Sequence, residues 1–408
     1  MRHDLDTAIA GVVAAGLCSG CGACTLLDDG LTMRMSAAGF ARPGRTRPAA
    51  ATTSSAAASS QVRRFDQVCP GRNVAAQRPP GATRHPLLGP VLGCWEAWAL
   101  DPELRRQGSS GGVLTALQAW LVETGEAVRS VAAGAAPDPR RTVAVQITTR
   151  DEALAAAGSR YAPVAVCAEP AASDAAGVTV GKPCEVSALR ALTAGGPAPV
   201  LLSFFCAGTP SQRATDAVLA DLGIGPDEPL ASLWYRGHGW PGRFTATTDD
   251  GREASASYEE SWGTTLGPAV QWRCKVCPDG IGESADVTAG DLWTTDERGY
   301  PLFAESDGVS ALVARTPRGL DIVQRAFAAG VLAGRPVEPD EVVGVQPLQR
   351  ARRSTLAGRL VGARLGGARV PRYRGFGLLR LAAGDVRAAV RTARGTFRRV
   401  RAGVARET

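Results

Sequence analysis

Residues 177–210 read GVTVGKPCEVSALRALTAGGPAPVLLSFFCAGTP, and the pattern of this stretch indicates the fold class. The runs GVTVG and PVLLSFF have the length and composition of buried strands, and EVSALRALTAG between them has the apolar spacing of a helix. Each predicted strand ends at a turn that carries a cysteine, Cys184 after the first and Cys206 after the second. The same alternation of strands and helices continues from Val91 to about Gln346, which predicts a mixed α/β fold.

Composition shifts divide the 408-residue chain into three predicted regions. Residues 1–75 form an N-terminal region that contains the low-complexity stretch AAATTSSAAASS, residues 49–60, which has no apolar period and predicts a flexible linker. Residues 85–346 form the central α/β domain. Residues 347–408 form an arginine-rich helical tail.

The net charge of +7 is concentrated in the tail, because residues 350–408 contain sixteen arginines against Asp385 and Glu407. Aromatic residues make up only 5% of the chain, and no base-stacking motif accompanies the basic run. We therefore expect no nucleic-acid partner.

The tail also predicts one helical apolar stripe flanked by arginines. The stripe consists of Leu379, Ala383, Val386, Val390, Ala393, Phe397 and Val400. Packing onto the body is the first interpretation, and peripheral contact with the anionic inner face of the membrane or with a partner protein are the alternatives.

The N-terminal residues lack the basic start and apolar run of a signal peptide, and no apolar run of about 18 residues occurs. These features predict a cytoplasmic protein. In the reducing cytosol, ten cysteines favour metal ligation over disulfides.

Eight of those cysteines fall into two sets of four. The first cysteine set is Cys18, Cys21 and Cys24 in CSGCGAC, together with Cys69 in VCPG. Three thiolates at intervals of three can wrap one iron–sulfur cubane, and the small residues between them let backbone amides approach its sulfides. The first set therefore predicts a [4Fe–4S] cluster.

Two alternatives remain open for the first set. Asp28 occupies the position of the fourth cysteine in the simplest ferredoxin run and competes with Cys69 as a ligand, unless it is a solvated residue at a turn. A zinc knuckle also uses CxxC elements, although the tight CxxCxxC pattern is unusual for zinc.

The second cysteine set is dispersed along the chain. Cys184 and Cys206 follow predicted strands, and Cys274 and Cys277 lie in WRCKVCPDG, a polar loop bounded by proline and glycine. Together the four predict a second thiolate site. The remaining pair, Cys94 and Cys167, lies in apolar contexts and is expected in the core.

The stretch QGSSGGVLTAL places small residues directly before a predicted helix. Ser109 or Ser110 is expected as its N-cap. Gly111 and Gly112 would let a pyrophosphate approach the backbone at a helix start, where the dipole favours negative charge. An ordinary capped helix is the alternative.

Taken in order, seven motifs resemble the bacterial branch of the coenzyme F420 hydrogenase/dehydrogenase beta-subunit family over roughly residues 16–315. They are CSGCGAC, SSGGVLTAL, GSRYAP, GKPCEVSALR, FFCAGTPS, RGHGWPG and WRCKVCPDGIGESADVTAGDLW. The resemblance implies an iron–sulfur flavoprotein oxidoreductase that carries FAD and one or two [4Fe–4S] clusters. It also implies a central flavin-binding domain preceded by a small ferredoxin-like iron–sulfur region, whereas the helical basic tail that follows has no role that the family's chemistry explains.

The resemblance further assigns roles to residues. Both cysteine sets match cluster positions, and the flavin would be lined by residues 109–112 and by Gly181, Lys182 and Pro183. Lys182 would stabilise the reduced, more anionic state, with a solvated turn lysine as the alternative.

Two further polar residues are hypothesised to act at the flavin or substrate. His238 in RGHGWPG would give a proton to substrate or flavin, or serve structurally in its turn. Asp291 would bind a ribityl or ribose hydroxyl, or cap a turn at the end of a strand.

The reaction implied is electron transfer between a reduced carrier, such as coenzyme F420 or ferredoxin, and an unidentified substrate or redox partner protein. Two rival classes remain: a non-catalytic relay subunit of a larger complex and a zinc-stabilised binding protein. Whether coenzyme F420 itself is used, and whether the chain forms a homo-oligomer, is left open.

Overall fold

The computed structural model describes residues 4–47, 55–296, 302 and 304–405. The strands are β1 Leu31–Met35, β2 Ala41–Arg45, β3 Asn73–Ala75, β4 Thr83–His85, β5 Gly89–Val91, β6 Gly93–Ala99, β7 Ser130–Ala135, β8 Thr142–Ile147, β9 Val178–Gly181, β10 Val200–Phe204, β11 Leu230–Trp234, β12 Phe244–Thr248, β13 Glu253–Ala256, β14 Val287–Asp291, β15 Ser310–Ala314, β16 Leu332–Pro336 and β17 Arg372–Arg374.

The α-helices are α1 Leu5–Ala14, α2 Ser55–Val68, α3 Pro102–Gln107, α4 Val113–Glu123, α5 Arg150–Ala155, α6 Pro183–Leu192, α7 Gln212–Asp221, α8 Trp272–Lys275, α9 Pro317–Ala328, α10 Pro339–Gly344, α11 Pro347–Leu365, α12 Leu378–Ala383 and α13 Val386–Arg401. A π-helix spans Glu259–Leu266, and short 3₁₀ turns span Ala23–Leu26, Val166–Ala168 and Pro170–Ser173. No described helix combines the length and apolarity needed to cross a membrane.

An eight-stranded sheet, in the order β16-β6-β15-β14-β10-β9-β7-β8, forms the centre of the molecule. Strands β7, β9, β10 and β14 run parallel, and antiparallel strands extend the sheet at both sides. The helix α6 connects β9 to its parallel neighbour β10, as expected for a crossover. The mixed α/β prediction is confirmed.

Helices cover both faces of this sheet because its strands are apolar on both sides. Leu201 and Leu202 are consecutive in β10, and their side chains enter different core clusters. Leu202 packs with Leu117 of α4 and Val323 of α9 on one face, whereas Leu201 packs with Leu189 of α6 on the other. The strand ends are therefore held between two packed layers.

The N-terminal region packs on the rest of the chain through α1 and α2. Ile9 and Phe65 from these helices share a core cluster with Trp272 and with Leu356 of α11. The linker prediction is wrong for residues 55–60, because α2 begins at Ser55, and the rest of the predicted linker, residues 49–54, lies outside the described residues. Alanine and serine are compatible with a helix when the following residues supply an apolar face.

The tail does not form one continuous stripe. It breaks between α12 and α13, where Asp385 caps α13 by accepting a hydrogen bond from Ala388 N at 2.8 Å. Helix α13 packs on α11 at Gly358 and Gly362, where a Cβ atom would overlap the backbone of Ala389 and Ala393.

That packing changes which residues of α13 face inward. Thr396 is fully buried, whereas Val386, Val390 and Phe397 of the predicted stripe remain exposed. The prediction that the stripe residues form one buried face of the tail is therefore wrong. The tail nevertheless packs onto the body of the protein, as the first interpretation expected.

Candidate functional site

A cavity of about 200 Å³ lies at the carboxyl ends of the parallel strands. Its walls include Gly181 and Lys182 after β9, residues 204–209 after β10, and residues 289–291 at the end of β14. Adjacent parallel strands all deliver their carboxyl ends to one edge of the sheet, where α/β proteins bind ligands. We call this space the central cavity.

The first turn of α4 lies at the central cavity, directly after the SSGG stretch of residues 109–112. Val113, Leu114 and Thr115 line the cavity, and the N-cap Gly112 provides no side-chain cap. The helix start therefore directs its first amides and the positive end of its dipole at the cavity, which is the geometry of an anion site.

The expected N-cap serines have other roles. Ser109 Oγ lies 2.7 Å from Ser159 Oγ, and Ser110 Oγ donates to the Val309 carbonyl at 2.6 Å. The prediction that one of them caps α4 is wrong, since Gly112 follows them in the left-handed conformation and becomes the N-cap itself. Both serines still line the cavity and fix the loop before α4.

The two glycines are required by space as well as by conformation. A Cβ on Gly111 would stand 2.6 Å from Ala97 O, and one on Gly112 would stand 2.5 Å from Leu104 O. Gly112 also has φ +71°, a conformation that side chains other than glycine rarely adopt. Gly111 does not line the cavity itself, and its amide donates to Ser310 Oγ at 2.9 Å.

Arg236 is the residue of the RGHGWPG motif that lines the central cavity. It is 2% exposed, and its Nη1 donates to Asp291 Oδ2 at 2.7 Å. The guanidinium lies 4.8 Å from the ring centroid of Trp240 and 5.1 Å from that of Trp293. Burial disfavours its charge, but Asp291 more than compensates and raises the pKa of Arg236.

One donor of this guanidinium remains unused. Arg236 Nη2 is buried and has no hydrogen-bond partner among the described residues. A buried donor without a partner is costly, so a ligand with an acceptor atom would be stabilised there. Asp291 lines the same wall, but its carboxylate is already engaged by Arg236.

His238 is not brought to this site. It is exposed and left-handed at φ +56°, and its ring meets Trp234 with centroids 3.8 Å apart. Partial burial and the nearby Arg106 lower the pKa of His238. His238 is not among the residues that line the central cavity, and its role as a proton donor stays a prediction.

Lys182 forms a buried ion pair beside the cavity. Its Nζ donates to Glu185 Oε1 at 2.6 Å and to Val164 O at 2.8 Å. Burial alone would lower the pKa of Lys182, but Glu185 outweighs it and holds the pKa above its usual range. The alternative of a solvated turn lysine is therefore wrong, because Lys182 is only 7% exposed.

Glu185 was not expected at the site. It is fully buried, lines the cavity, and completes a capping box at the start of α6. A glutamate three residues after Lys182 in GKPCEV was the available signal. Pro183 is buried at the first position of α6 and does not line the cavity.

The first cysteine set converges on a single smaller cavity. Its lining includes all four thiol side chains, Cys18, Cys21, Cys24 and Cys69. Burial raises the pKa of the Cys21 thiol to about 11, and burial together with the other three thiols of the set raises the pKa of Cys24. Four thiols around one apolar space provide the donor set of a [4Fe–4S] cluster.

Asp28 is turned away from that set. Its carboxylate pairs with Arg45 at 2.7 Å and accepts from Gly30 N at 2.9 Å. It is also not among the residues that line the cavity of the first set. The alternative that Asp28 replaces Cys69 as a ligand is therefore not supported by the geometry.

The second cysteine set is assembled from three places in the chain: Cys184, Cys206 and the pair Cys274 and Cys277. Burial and the nearby Cys274 and Cys277 thiols raise the pKa of Cys206 to about 12. Burial also raises the pKa of Cys184, and Cys274 is among the neighbouring groups that add to this shift. Thr209 N and Gln271 Nε2 lie within 3.4 Å and 3.5 Å of Cys274 Sγ, as donors that would support a thiolate.

Cys206 connects this set with the central cavity, because it lines the cavity and also neighbours Cys274 and Cys277. The two unassigned cysteines, Cys94 and Cys167, are buried in apolar clusters. Within the described chain, no three His, Cys, Asp or Glu side chains converge tightly enough to share one metal ion. A cubane binds one thiolate at each of four irons, so its ligands stand further apart than those of a single ion.

A buried hydrogen-bond bridge joins the two cysteine sets. Arg42 Nη2 donates to Gln271 Oε1 at 3.0 Å, and Gln271 Nε2 lies 3.0 Å from the Ser19 carbonyl and 3.5 Å from Cys274 Sγ. Burial lowers the pKa of Arg42, and the nearby Cys18 and Cys274 offset this only in part. The sets are therefore neighbours, and this Arg42–Gln271 bridge fixes their separation.

The chain matches a known protein family over its central part. Models of the coenzyme F420 hydrogenase/dehydrogenase beta subunit match it in two parts, the N-terminal part at residues 94–168 and the C-terminal part at residues 176–340. The second cysteine set lies inside the C-terminal match. The first set lies before both matches.

Two curated relatives illustrate the similarity. The beta subunit of coenzyme F420 hydrogenase from Methanosarcina barkeri is 26% identical over 62% of this chain and 84% of the relative. The beta subunit of F420-dependent formate dehydrogenase 1 from Methanococcus maripaludis is 23% identical over 55% of this chain and 62% of the relative.

A solved structure shares the fold. It is a chain of the xenon-derivatised F420-reducing [NiFe] hydrogenase complex from Methanosarcina barkeri, with a TM-score of 0.55 and 21% sequence identity. The match covers 71% of this chain and 98% of that chain.

Replacing Gln271 by leucine tests the bridge. The variant removes the Oε1 acceptor of Arg42 Nη2 and the amide that donates to the Ser19 carbonyl, and the loss of each buried hydrogen bond is expected to cost about 1–3 kcal/mol. Urea unfolding of the anaerobically purified protein would measure this loss. Gln146→Leu is the control, because Gln146 is exposed and donates one hydrogen bond to Glu169. Equal stability of the two variants would contradict the bridge.

Proposed function

Because the chain belongs to the family of coenzyme F420 hydrogenase/dehydrogenase beta subunits, we propose that it is an iron–sulfur flavoprotein oxidoreductase. In this proposal the central cavity holds FAD, and each cysteine set holds a [4Fe–4S] cluster. Electrons pass between a reduced carrier, such as coenzyme F420 or ferredoxin, and a substrate or redox partner.

The observation that carries the proposal is the position of Cys206. Cys206 forms part of the wall of the central cavity, and its thiol belongs to the second cysteine set. A ligand in the cavity would therefore sit against the second cluster, and the Arg42–Gln271 bridge leads from there to the first set. The three sites form a continuous series, which is the arrangement that stepwise electron transfer needs.

The central cavity has features that suit a flavin dinucleotide. The uncapped start of α4 offers amides to a pyrophosphate, and Arg236 Nη2 is a buried donor without a partner among the described residues. When bound, FAD supplies the conversion between two-electron and one-electron transfer. Residues of the chain would bind and orient it.

Two ion pairs line the central cavity, and Arg160 adds a cation that no ion pair joins to an acid within the described chain. Lys182 with Glu185 and Arg236 with Asp291 place one cation and one carboxylate on each of two walls. Lys182 and Arg236 both line the central cavity, so both would face a flavin held there. We infer that Lys182 and Arg236 stabilise the reduced state, and that Glu185 and Asp291 hold these two cations in place.

A relay subunit without turnover of its own is the second candidate. It is favoured by the curated relatives, which are named as subunits of a hydrogenase and of a formate dehydrogenase. The isolated chain distinguishes the two candidates. Steady-state oxidation of reduced coenzyme F420 with an artificial electron acceptor would support an enzyme, whereas reduction of the bound cofactors without turnover would support a relay.

The cofactor content tests the proposal directly. After anaerobic purification we expect about eight irons and one FAD per chain if both cysteine sets bind [4Fe–4S] clusters. Cys277→Ala should lower iron to about four per chain, because it removes one ligand of the second cluster only. Cys94→Ala is the matched control, since this buried cysteine belongs to neither set. Zinc in place of iron, without flavin, would contradict the proposal.

Alanine at Gly112 tests the flavin site. The new Cβ would meet Leu104 O and force the start of α4 to move, so FAD per chain should fall at least tenfold while iron is retained. Gly125→Ala is the control, because Gly125 lies at the other end of α4 with φ +73° and no atom within 4 Å of a new Cβ. Fluorescence of released flavin measures both. Equal flavin content in the two variants would contradict this site.

A further inference from the structure

A groove lined by arginines lies beside the first cysteine set. Its volume is about 580 Å³, and its polar lining includes five arginines and one acid. The arginines are Arg72, Arg364, Arg369, Arg372 and Arg374, and the acid is Asp66. We call it the arginine groove.

The local fold explains why these arginines share a face. Strand β17 pairs in parallel with β3, with Arg372 opposite Asn73 and Arg374 opposite Ala75. Because side chains alternate along a strand, Arg372 and Arg374 point to the groove and Tyr373 points to the other side. Tyr373 donates its hydroxyl to Val276 O at 2.6 Å, which anchors the strand on the loop between Cys274 and Cys277.

The positive charge of the groove is largely uncompensated. Arg72 pairs with Asp66 at 2.7 Å. No ion pair joins Arg364, Arg369, Arg372 or Arg374 to any acid within the described chain, and all four are exposed. Such a concentration of like charge needs an acidic partner to become favourable.

The groove is also separated from the first cysteine set by very little protein. Val12 lines both the groove and the cavity of that set. Leu17 and Gly71 line the groove, and they flank Cys18 and Cys69 in the chain. A Cβ on Gly71 would stand 2.5 Å from Leu17 O, so the two cysteine loops are in direct backbone contact at the groove floor.

We propose that the arginine groove docks a small acidic iron–sulfur carrier protein of the ferredoxin class, which exchanges electrons with the cluster of the first cysteine set. This inference rests on the proposed function. In each encounter one electron passes, so the carrier is oxidised by one electron and the cluster is reduced by one. Two encounters supply the electron pair of a two-electron reduction.

The chemistry of the groove favours a protein partner over the other anionic ligands. Its arginines are exposed and spread over a wide face, which suits the acidic surface of a protein better than a single phosphate group. Membrane binding through a helix also needs apolar anchors. Within the described chain, Val386, Val390 and Phe397 on α13 are exposed apolar side chains, and none of them lines the groove.

A charge-reversal variant tests the docking site. The triple variant Arg369→Glu, Arg372→Glu, Arg374→Glu reverses the groove, and the control Arg387→Glu, Arg391→Glu, Arg394→Glu makes the same charge change on α13. The probe is a plant-type [2Fe–2S] ferredoxin, whose Kd for the full chain is measured by calorimetry at rising salt. We expect the groove variant to weaken binding on the order of a hundredfold and the control by no more than about threefold.

A second readout separates docking from cluster chemistry. Reduction of the clusters by dithionite, a small donor that needs no docking, should proceed equally in both variants, whereas reduction by reduced ferredoxin should slow only in the groove variant. Unchanged ferredoxin binding in the groove variant, or equal weakening in both, would overturn the inference. So would competition by inorganic phosphate at millimolar concentration, or binding of vesicles of phosphatidylglycerol that the groove variant loses while ferredoxin binding persists.

The same experiment distinguishes failure of the docking site from failure of the proposed function. A chain that contains iron and is bleached by dithionite, yet fails to bind ferredoxin, would overturn the docking site and leave the proposed function intact. A chain without iron would overturn the proposed function, and the docking inference would fall with it.

Discussion

Parallel pairing of β9, β10 and β14 is the constraint on which the rest of the site depends. The register of Leu202 with both Val180 and Val287 brings three strand ends to one edge of the sheet. The turns after these strands then have to share the space above that edge. They bring Gly181, Cys206 and Asp291 to one cavity, although these residues are far apart in the sequence.

The N-terminal region is attached to this site by buried polar groups rather than by apolar packing alone. Gln271 contacts Arg42 of β2, the Ser19 carbonyl and Cys274, so one side-chain amide touches the loop of the first cysteine set, a thiol of the second set and strand β2. Buried networks of this kind are costly when incomplete and specific when satisfied. The bridge therefore sets the distance between the sets more narrowly than apolar contacts would.

Much of this arrangement can be predicted from the sequence, because its signals are local. The strand and helix spacing around Cys184 and Cys206 predicts the α/β fold, and the CxxCxxC spacing predicts that three thiols converge. Arg236 and Gln271 could not be found in the same way, since their partners are set by tertiary packing. The sequence indicates His238 in RGHGWPG as a candidate because histidine is a common proton donor, whereas a buried arginine such as Arg236 has no sequence signature.

The errors also have physical causes. Composition gave residues 49–60 the character of a linker, but Val62, Phe65 and Val68 follow with helical spacing, and α2 extends back to Ser55. In the tail, apolar periodicity indicated one stripe, whereas Gly358 and Gly362 allow a closer approach at Ala389 and Ala393 and so rotate α13. In both cases the neighbouring segment decided the local structure.

We infer that the two cysteine sets hold two clusters as close neighbours. Electron paramagnetic resonance of the dithionite-reduced protein tests it most directly, because two adjacent paramagnetic clusters interact magnetically. We expect two reduced [4Fe–4S] signals per chain, each broadened and split by the other. A single unperturbed cluster signal, or no cluster signal, would contradict it.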